Sequence, residues 1–409
     1  MAKEKVVLAY SGGLDTSIIL GWLIDKGYDV IAYMADLGQD ADFNAAKKKA
    51  LRQGASAAEI VDCKGEFVKD YVFPAIRANA KYEGRYLLGT SLARPLIAEK
   101  QVEVARKHKA TVLSHGSTGK GNDQVRFELA YLTLYPKAKI YSPWKDPEFL
   151  AKFEGRNDMI DYAKAKGIPI SQTKKDPWSS DDNIMHISYE AGMLEDPSAR
   201  PFERMFQLTA SPEKAPNKET VVDIYFEKGN PVKVVDKTNK VTKTGALALF
   251  AYLNKVAGKN GVGRLDMVES RYVGMKSRGV YETPAGTVLH TAHRDLEGLT
   301  MDREVMLIRD SLSPRFAERI YSGFWFSPEM DFLRGIMDLC QGKVSGKVSV
   351  ALYKGNVTVI GRSSKNSLYD EKVASMDIAG GYDPTKARGF IDITALRLMT
   401  WARKKGLGK

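Results

Sequence analysis

The stretch Ala9-Tyr10-Ser11-Gly12-Gly13-Leu14-Asp15-Thr16-Ser17, placed directly after Val6-Val7-Leu8, decides the fold. The apolar run predicts a buried strand ending near Tyr10, the two glycines a tight loop, and Thr16 the start of an amphipathic helix. Gly12 and Gly13 carry no Cβ, so their backbone N–H groups can turn toward an anion and approach it closely. The helix that follows aims its N-terminal N–H groups and positive dipole end at the same point. Ser11, Thr16 and Ser17 add hydroxyl donors, and Asp15 adds a carboxylate suited to holding Mg²⁺ beside phosphates. The loop reads as an oxyanion cradle.

Outward from this loop, strand and helix alternate to about residue 170. Strands are expected over 5–10, 29–34, 58–62, 111–115 and 138–141, with helices over 17–26, 42–53, 64–80, 92–107 and 123–134. Strands about thirty residues apart with helices between them imply right-handed crossovers and an α/β, doubly wound, mostly parallel sheet. Ligands of such sheets bind outside the carboxyl ends of the strands. There the glycine loop, Ala35-Asp36-Leu37-Gly38 and Ser114-His115-Gly116 are all expected to converge.

From 171 the texture changes to Pro-, Ser- and Asp-rich connections, including 174–180 and 210–218. Hairpins are expected across Lys228-Gly229-Asn230-Pro231 and around Tyr353-Lys354-Gly355, with an apolar helix over 244–256. The division expected is a nucleotide-binding domain over 1–170, an α+β second domain over 171–365, and a C-terminal segment over 366–409. The last carries an amphipathic helix at 392–405, whose Ile393, Leu396, Leu398, Met399 and Trp401 need an apolar surface to cover.

Composition excludes several classes. At 409 residues with 44% hydrophobic and 27% charged residues, the chain reads as a soluble globular enzyme of two or three domains. No apolar run approaches the ~18 residues of a spanning helix, and Met1-Ala2-Lys3-Glu4-Lys5 leads into a strand rather than a signal sequence. Cys63 and Cys340 make neither a disulfide framework nor a metal knuckle, which suits the cytoplasm. The net charge of +12 is dispersed in small groups such as Lys47-Lys48-Lys49, Lys174-Lys175 and Lys404-Lys405. It fits anionic small-molecule substrates, with no nucleic acid and no membrane as partner.

Two further segments carry chemistry. Ser114-His115-Gly116-Ser117-Thr118-Gly119-Lys120-Gly121-Asn122-Asp123-Gln124-Val125-Arg126 places a hydroxyl, an ammonium, an amide, a carboxylate and a guanidinium in a glycine-rich loop. That mixture suits phosphate and an amino acid together. It is not a Walker A loop, since Gly121 follows Lys120. In the third segment, residues 176–190, Ser180 or Asp181 reads on its own as a helix cap.

Residues 11–17 resemble the Ser-Gly-Gly-x-Asp-Ser/Thr loop of ATP pyrophosphatases. With Tyr86-Leu87-Leu88-Gly89-Thr90-Ser91-Leu92-Ala93-Arg94-Pro95, 114–126, 178–192, Glu269-Ser270-Arg271 and Ser277-Arg278-Gly279-Val280-Tyr281-Glu282-Thr283-Pro284, the chain resembles the argininosuccinate synthase family nearly end to end. The C-terminal Ser364-Lys365-Asn366-Ser367-Leu368-Tyr369 also fits. The resemblance implies a cytoplasmic C–N ligase of arginine biosynthesis and the urea cycle. The ureido oxygen of L-citrulline attacks the α-phosphorus of Mg·ATP, and L-aspartate then displaces AMP from citrullyl-AMP. It implies that Ala9, Tyr10, Ser11, Gly12, Gly13, Leu14, Asp15, Thr16, Ser17, Ala35 and Gly116 hold ATP, with Asp15 also a possible Mg²⁺ ligand. Aspartate falls to Thr118, Asn122 and Asp123, the last facing its ammonium group. Citrulline falls to Tyr86, Ser91, Asn122, Arg126, Ser179, Ser188, Glu269 and Tyr281. Asp15, Asp123 and Arg126 are then the catalytic candidates, and the resemblance suggests a homotetramer.

The alternatives are a tRNA-modifying ATP pyrophosphatase and a non-catalytic nucleotide sensor. Thiolating relatives need reactive cysteine pairs and amidotransferase relatives a further domain, for which ten residues before Ser11 leave no room. A sensor leaves the second loop and residues 178–192 unexplained.

Overall fold

Five parallel strands, β1 (Lys5–Ala9), β2 (Asp29–Asp36), β3 (Ala57–Asp62), β4 (Val112–Ser114) and β5 (Lys139–Tyr141), lie in the order β3-β2-β1-β4-β5. The chain steps outward from β1 to β3, then returns to the other side of β1, with Leu8 opposite Ser114. This reversal opens a crevice between the carboxyl ends of β1 and β4, where such sheets bind ligands. The computed structural model describes residues 3–119, 121–169, 177–376 and 381–407, apart from the side chain of Arg156.

Alternate residues of the strands feed two cores, because successive side chains point to opposite faces. Val6, Leu8, Val30 and Ala32 pack with Ile18, Ile19 and Leu23 of α1 (Leu14–Asp25). Val7, Ile31 and Leu113 pack on the other face with the helices Gly89–His108 and Asn122–Leu134. Burial on both faces explains the unbroken apolar runs.

Two expectations fail here. Helix α1 begins at Leu14 rather than Thr16, and it is not amphipathic: Thr16 through Leu20, Trp22 and Leu23 are all buried. Phe149 packs edge-on against Trp22 at 5.6 Å, and Tyr162 crowds Gly21, so the outer side of α1 is covered as well. The helix expected over 64–80 is three pieces, Lys64–Glu66, a π-helical turn Phe67–Val72, and Phe73–Arg77. Pro74 has no N–H to give to an α-helical ladder.

The remaining strands are β6 (Ser179–Asp182), β7 (Ile187–Glu190), β8 (Thr220–Glu227), β9 (Asn230–Asp236), β10 (Val241–Thr244), β11 (Arg264–Ser270), β12 (Lys276–Glu282), β13 (Gly346–Tyr353) and β14 (Asn356–Ser363). They form two antiparallel sheets, β10-β9-β8-β13-β14 and β11-β12-β7-β6. Both expected hairpins are present, each turning on a Lys–Gly pair with positive φ, Lys228–Gly229 and Lys354–Gly355. The apolar helix spans Ala246–Lys259.

The capped helix expected at Ser180 or Asp181 is instead the strand β6. The N–H of Asn183 donates to the carbonyl of His186 at 3.0 Å and the reverse bond is 3.1 Å, closing a hairpin that pairs β6 with β7. The boundary expected at 170/171, with Lys174, Lys175 and Asp176, lies outside the described residues, as does Lys120. One hydrophobic core joins Tyr86, Leu92 and Leu96 to Val222, Phe250, Leu289 and Phe316, drawing on both sides of that boundary.

By internal contacts the chain divides into Met1–Asn366 and Ser367–Lys409. Within the second unit the helix is Ala387–Lys404, beginning five residues before the expected start, and Ile393, Leu396, Leu398, Met399 and Trp401 are exposed. Among the described residues no helix is long and apolar enough to cross a membrane.

Candidate active site

Two cavities open at the crevice and share a wall. The larger, about 600 Å³, is lined by Ala9, Tyr10, Ser11, Gly13, Leu14, Asp15, Thr16, Ala35 and Gly116 of the sequence-derived ATP set. The smaller, about 250 Å³, is lined by Tyr86, Asn122, Arg126, Ser188, Glu269 and Tyr281 of the citrulline set. Arg94, Ser117, Thr118, Asp123 and Asp181 line both.

In the larger cavity the loop after β1 is held from within. The Ser11 hydroxyl and the Thr16 hydroxyl lie 3.0 Å apart, and Ser17 Oγ donates to the Gly13 carbonyl at 2.7 Å. Gly13 opens α1 in an extended conformation with no side chain capping the helix, so the first-turn N–H groups remain available to a ligand. Gly12 and Ser17 do not line the cavity. Gly12 has φ +80°, and a Cβ there would lie 2.9 Å from the Cβ of Ala46 on α2 (Phe43–Arg52). Asp15 stands exposed at the mouth of the loop.

The shared wall is an ion cluster. Arg94 Nε and Nη2 donate to Asp123 Oδ2 at 2.9 and 2.8 Å, and Nη2 reaches Asp181 Oδ2 at 2.6 Å. Arg126 Nη1 donates to the other oxygen, Asp123 Oδ1, at 2.8 Å. Burial favours the neutral acid of Asp123, but Arg94 and Arg126 outweigh it and hold the carboxyl down to about 2. The Asp123 carboxylate is therefore already divided between two guanidinium groups. Any ammonium group that meets Asp123, as the resemblance implies for aspartate, shares the carboxylate with both arginines.

Aromatic residues build the smaller cavity. Tyr86 stacks on Tyr281 at 4.2 Å and Tyr82 on Tyr321 at 3.6 Å. Glu269 on β11 accepts from Tyr281 Oη at 2.8 Å and from Tyr321 Oη at 2.7 Å. Burial, with Glu269 adding to it, pushes both phenols far above their ordinary range, so they remain donors. His186 lies parallel to Tyr281 at 6.0 Å, its Nε2 3.0 Å from Thr90 Oγ1. Burial first, and Arg94 second, hold its imidazole neutral, down to about 3. Only glycine fits at position 89, where a Cβ would lie 2.4 Å from the His186 ring.

Two members of the citrulline set stand apart. Ser91 is fully buried in the helix Gly89–His108 and lines neither cavity. Ser179 shares a face of β6 with Asp181, opposite Glu190, but is exposed and outside the lining. Sequence reasoning missed Arg94, Asp181 and Tyr321. The first two lie inside motifs already singled out, where the arginine of 86–95 and the carboxylate pair Asp181-Asp182 were the available signal. Tyr321 closes the helix Arg303–Tyr321, which carries no motif. Yet its carbonyl accepts from Arg126 Nε at 2.8 Å, and its hydroxyl accepts from Asn122 Nδ2 at 3.1 Å.

The arginosuccinate synthase N-terminal HUP domain matches residues 5–169, and the arginosuccinate synthase C-terminal domain matches residues 178–401. The argininosuccinate synthase of Thermotoga sp. (strain RQ2) is 61% identical over 396 residues, 97% of each chain. Those of Xenopus tropicalis and Homo sapiens are 56% and 55% identical over 402 residues, 98% of each chain. The tRNA-modifying and sensor alternatives find no support in these relatives. By the match of both domains and by identity along nearly its whole length, this chain belongs to the argininosuccinate synthase family.

Proposed function

We propose that the larger cavity takes ATP and the smaller takes citrulline and aspartate, so that the two steps of the family's reaction meet at the Arg94–Asp123–Asp181 wall. The reaction is the ATP-dependent ligation of citrulline to aspartate, giving argininosuccinate, AMP and pyrophosphate. In the first step the ureido oxygen bonds to the α-phosphorus as the bond to pyrophosphate breaks. In the second the aspartate nitrogen, having lost its proton, bonds to the ureido carbon as AMP leaves. Neither step needs an enzyme nucleophile; both need reactants held close and charge neutralised. The observation that carries this assignment is the common wall, since two cavities sharing five residues bring an α-phosphate and a ureido group together.

Within it, Ala9–Ser11, Gly13–Thr16, Ala35 and Gly116 surround the nucleotide, with Gly12 and Ser17 shaping the loop. Thr118, Asn122 and Asp123 serve aspartate, and Tyr86, Arg126, Ser188, Glu269 and Tyr281 serve citrulline. Mg²⁺ fits this donor set as the companion of ATP, which supplies most of its oxygens, with Asp15 the protein carboxylate beside it; its chemistry is to neutralise the phosphates. Among the described residues no cluster of three acidic, imidazole or thiol groups offers a separate site. The functional division 1–170, 171–365 and 366–409 belongs to this reading, as do a cytoplasmic location and a homotetramer. The unpaired thiols and the exposed apolar residues of Ala387–Lys404 support the last two. Incubation with ATP and single amino acids tests the assignment: pyrophosphate release should require citrulline with Mg·ATP. Release without citrulline, or with a nucleic acid instead, would overturn it.

A further inference from the structure

One stripe of α2 faces the glycine loop from behind. Ala46, Lys49 and Gln53 are spaced i, i+3, i+7, which places them on one side of a helix. Ala46 packs against Gly12, leaving no room for a side chain there. Lys49 Nζ donates to the Gly12 carbonyl at 2.9 Å. Gln53, just past the end of α2, accepts from Tyr10 Oη at 3.3 Å and donates to the Ser17 carbonyl at 3.4 Å. The stripe therefore grips the loop at its start, its turn and its end.

Lys49 is the member with charge, and among the described residues it has no carboxylate partner; its contact is that one carbonyl. A half-buried ammonium without a counter-ion carries a desolvation cost that a nearby anion relieves. Burial alone holds its pKa below the ordinary lysine range. Lys47 and Lys48, its neighbours in sequence, show no such contact among the described residues, so the run of three lysines is not simply a solvated face.

We propose that Lys49 is a positioning residue for the β- and γ-phosphates of ATP. It draws the Gly12 carbonyl away from the cavity, which fixes the positive-φ turn with the following N–H groups toward the phosphates, and it supplies the counter-charge behind them. This rests on ATP occupying the larger cavity. Pyrophosphate release by the unaltered enzyme tests that occupancy separately, so the two can fail independently.

The test compares the full-length enzyme with Lys49→Met and Lys49→Arg. For Lys49→Met, KM for ATP and the inhibition constant of added pyrophosphate should each rise roughly tenfold or more, the size of a lost charged hydrogen bond. KM for citrulline and inhibition by AMP should stay within about twofold, since AMP lacks the phosphates concerned. Lys49→Arg should recover most of the loss. Equal damage to ATP, citrulline and aspartate kinetics would reduce Lys49 to a structural role and overturn the proposal. Unchanged pyrophosphate inhibition in Lys49→Met would overturn it as well. Should Lys49→Met fail to fold, Lys49→Gln with a direct pyrophosphate-binding titration decides the same point: binding as tight as in the unaltered enzyme refutes it.

Discussion

Replacing Asp123 by asparagine removes one negative charge from between two guanidinium groups while keeping the side chain's shape. Arg126 is buried and Arg94 nearly so; after the substitution Arg94 keeps its ion pair with Asp181, whereas Arg126 has no other carboxylate ion pair among the described residues. The carboxyl sits at about 2 against an ordinary 3.8, and at 1.36 kcal/mol per pKa unit this amounts to roughly 2 kcal/mol in favour of the folded, charged state. Stranding buried charge raises the ceiling to about 3–5 kcal/mol. Because the folded pKa is depressed, this stability is present above pH 3.8 and is lost as pH falls toward 2. Urea unfolding should therefore separate Asp123→Asn from the unaltered protein by roughly 2 kcal/mol or more at pH 7, with the gap narrowing between about pH 4 and 2. KM should rise for aspartate and citrulline together, since Arg126 loses its anchor on the citrulline side. A variant as stable as the original at pH 7, or one damaged for aspartate alone, would refute the shared-carboxylate reading. It would leave Asp123 serving the aspartate ammonium group alone, independently of the two arginines.

Asp15→Asn should slow pyrophosphate release and raise the Mg²⁺ concentration needed for half-maximal rate; normal turnover at limiting Mg²⁺ would remove Asp15 from the metal's surroundings. Tyr321→Phe takes away the hydroxyl between Glu269 and Asn122. Leaving a buried carboxylate short of a donor costs about 1–3 kcal/mol, so KM for citrulline should rise roughly fivefold to over a hundredfold, and an unchanged KM would show that Glu269 does not depend on Tyr321. Deleting residues 392–409 should lower the number of subunits seen by light scattering, because it removes the exposed Ile393, Leu396, Met399 and Trp401 that would make the interface; an unchanged number of subunits would place that helix on its own subunit.

The parallel sheet was legible because its strands are buried on both faces and punctuated by glycines such as Gly27 and Gly54, both at positive φ. The hairpins were legible for the same local reason, a Lys–Gly turn between apolar strands. Residues 179–182 were not. Ser-Ser-Asp-Asp has poor strand propensity and good capping chemistry, and what makes it a strand lies elsewhere, in the β7 partner and the Arg94 side chain. The ligand sets implied by resemblance mostly fall into two cavities, but their internal bonds were invisible. Tyr321 lies 195 positions from Arg126 and 199 from Asn122, and no local pattern announces contacts of that range.

That long-range bonding gives the proposed site a polarity. At the wall, Arg94 and Arg126 already face Asp123 and Asp181, so the cluster is close to neutral and its donors are fixed before any substrate arrives. On the loop side of the larger cavity stand the uncapped start of α1 and, behind Gly12, the ammonium of Lys49, which has no carboxylate partner among the described residues. With ATP spanning the two, negative charge that develops on departing pyrophosphate meets positive potential, whereas the AMP portion rests against a neutralised surface. Preorganised charge of this kind lowers a barrier because it interacts more strongly with the leaving group than with the ground state. On this proposed placement the neutral wall would serve the second step for the opposite reason. AMP must leave once aspartate attacks, and two unpaired arginines beside its phosphate would hold it; the carboxylates of Asp123 and Asp181 prevent that.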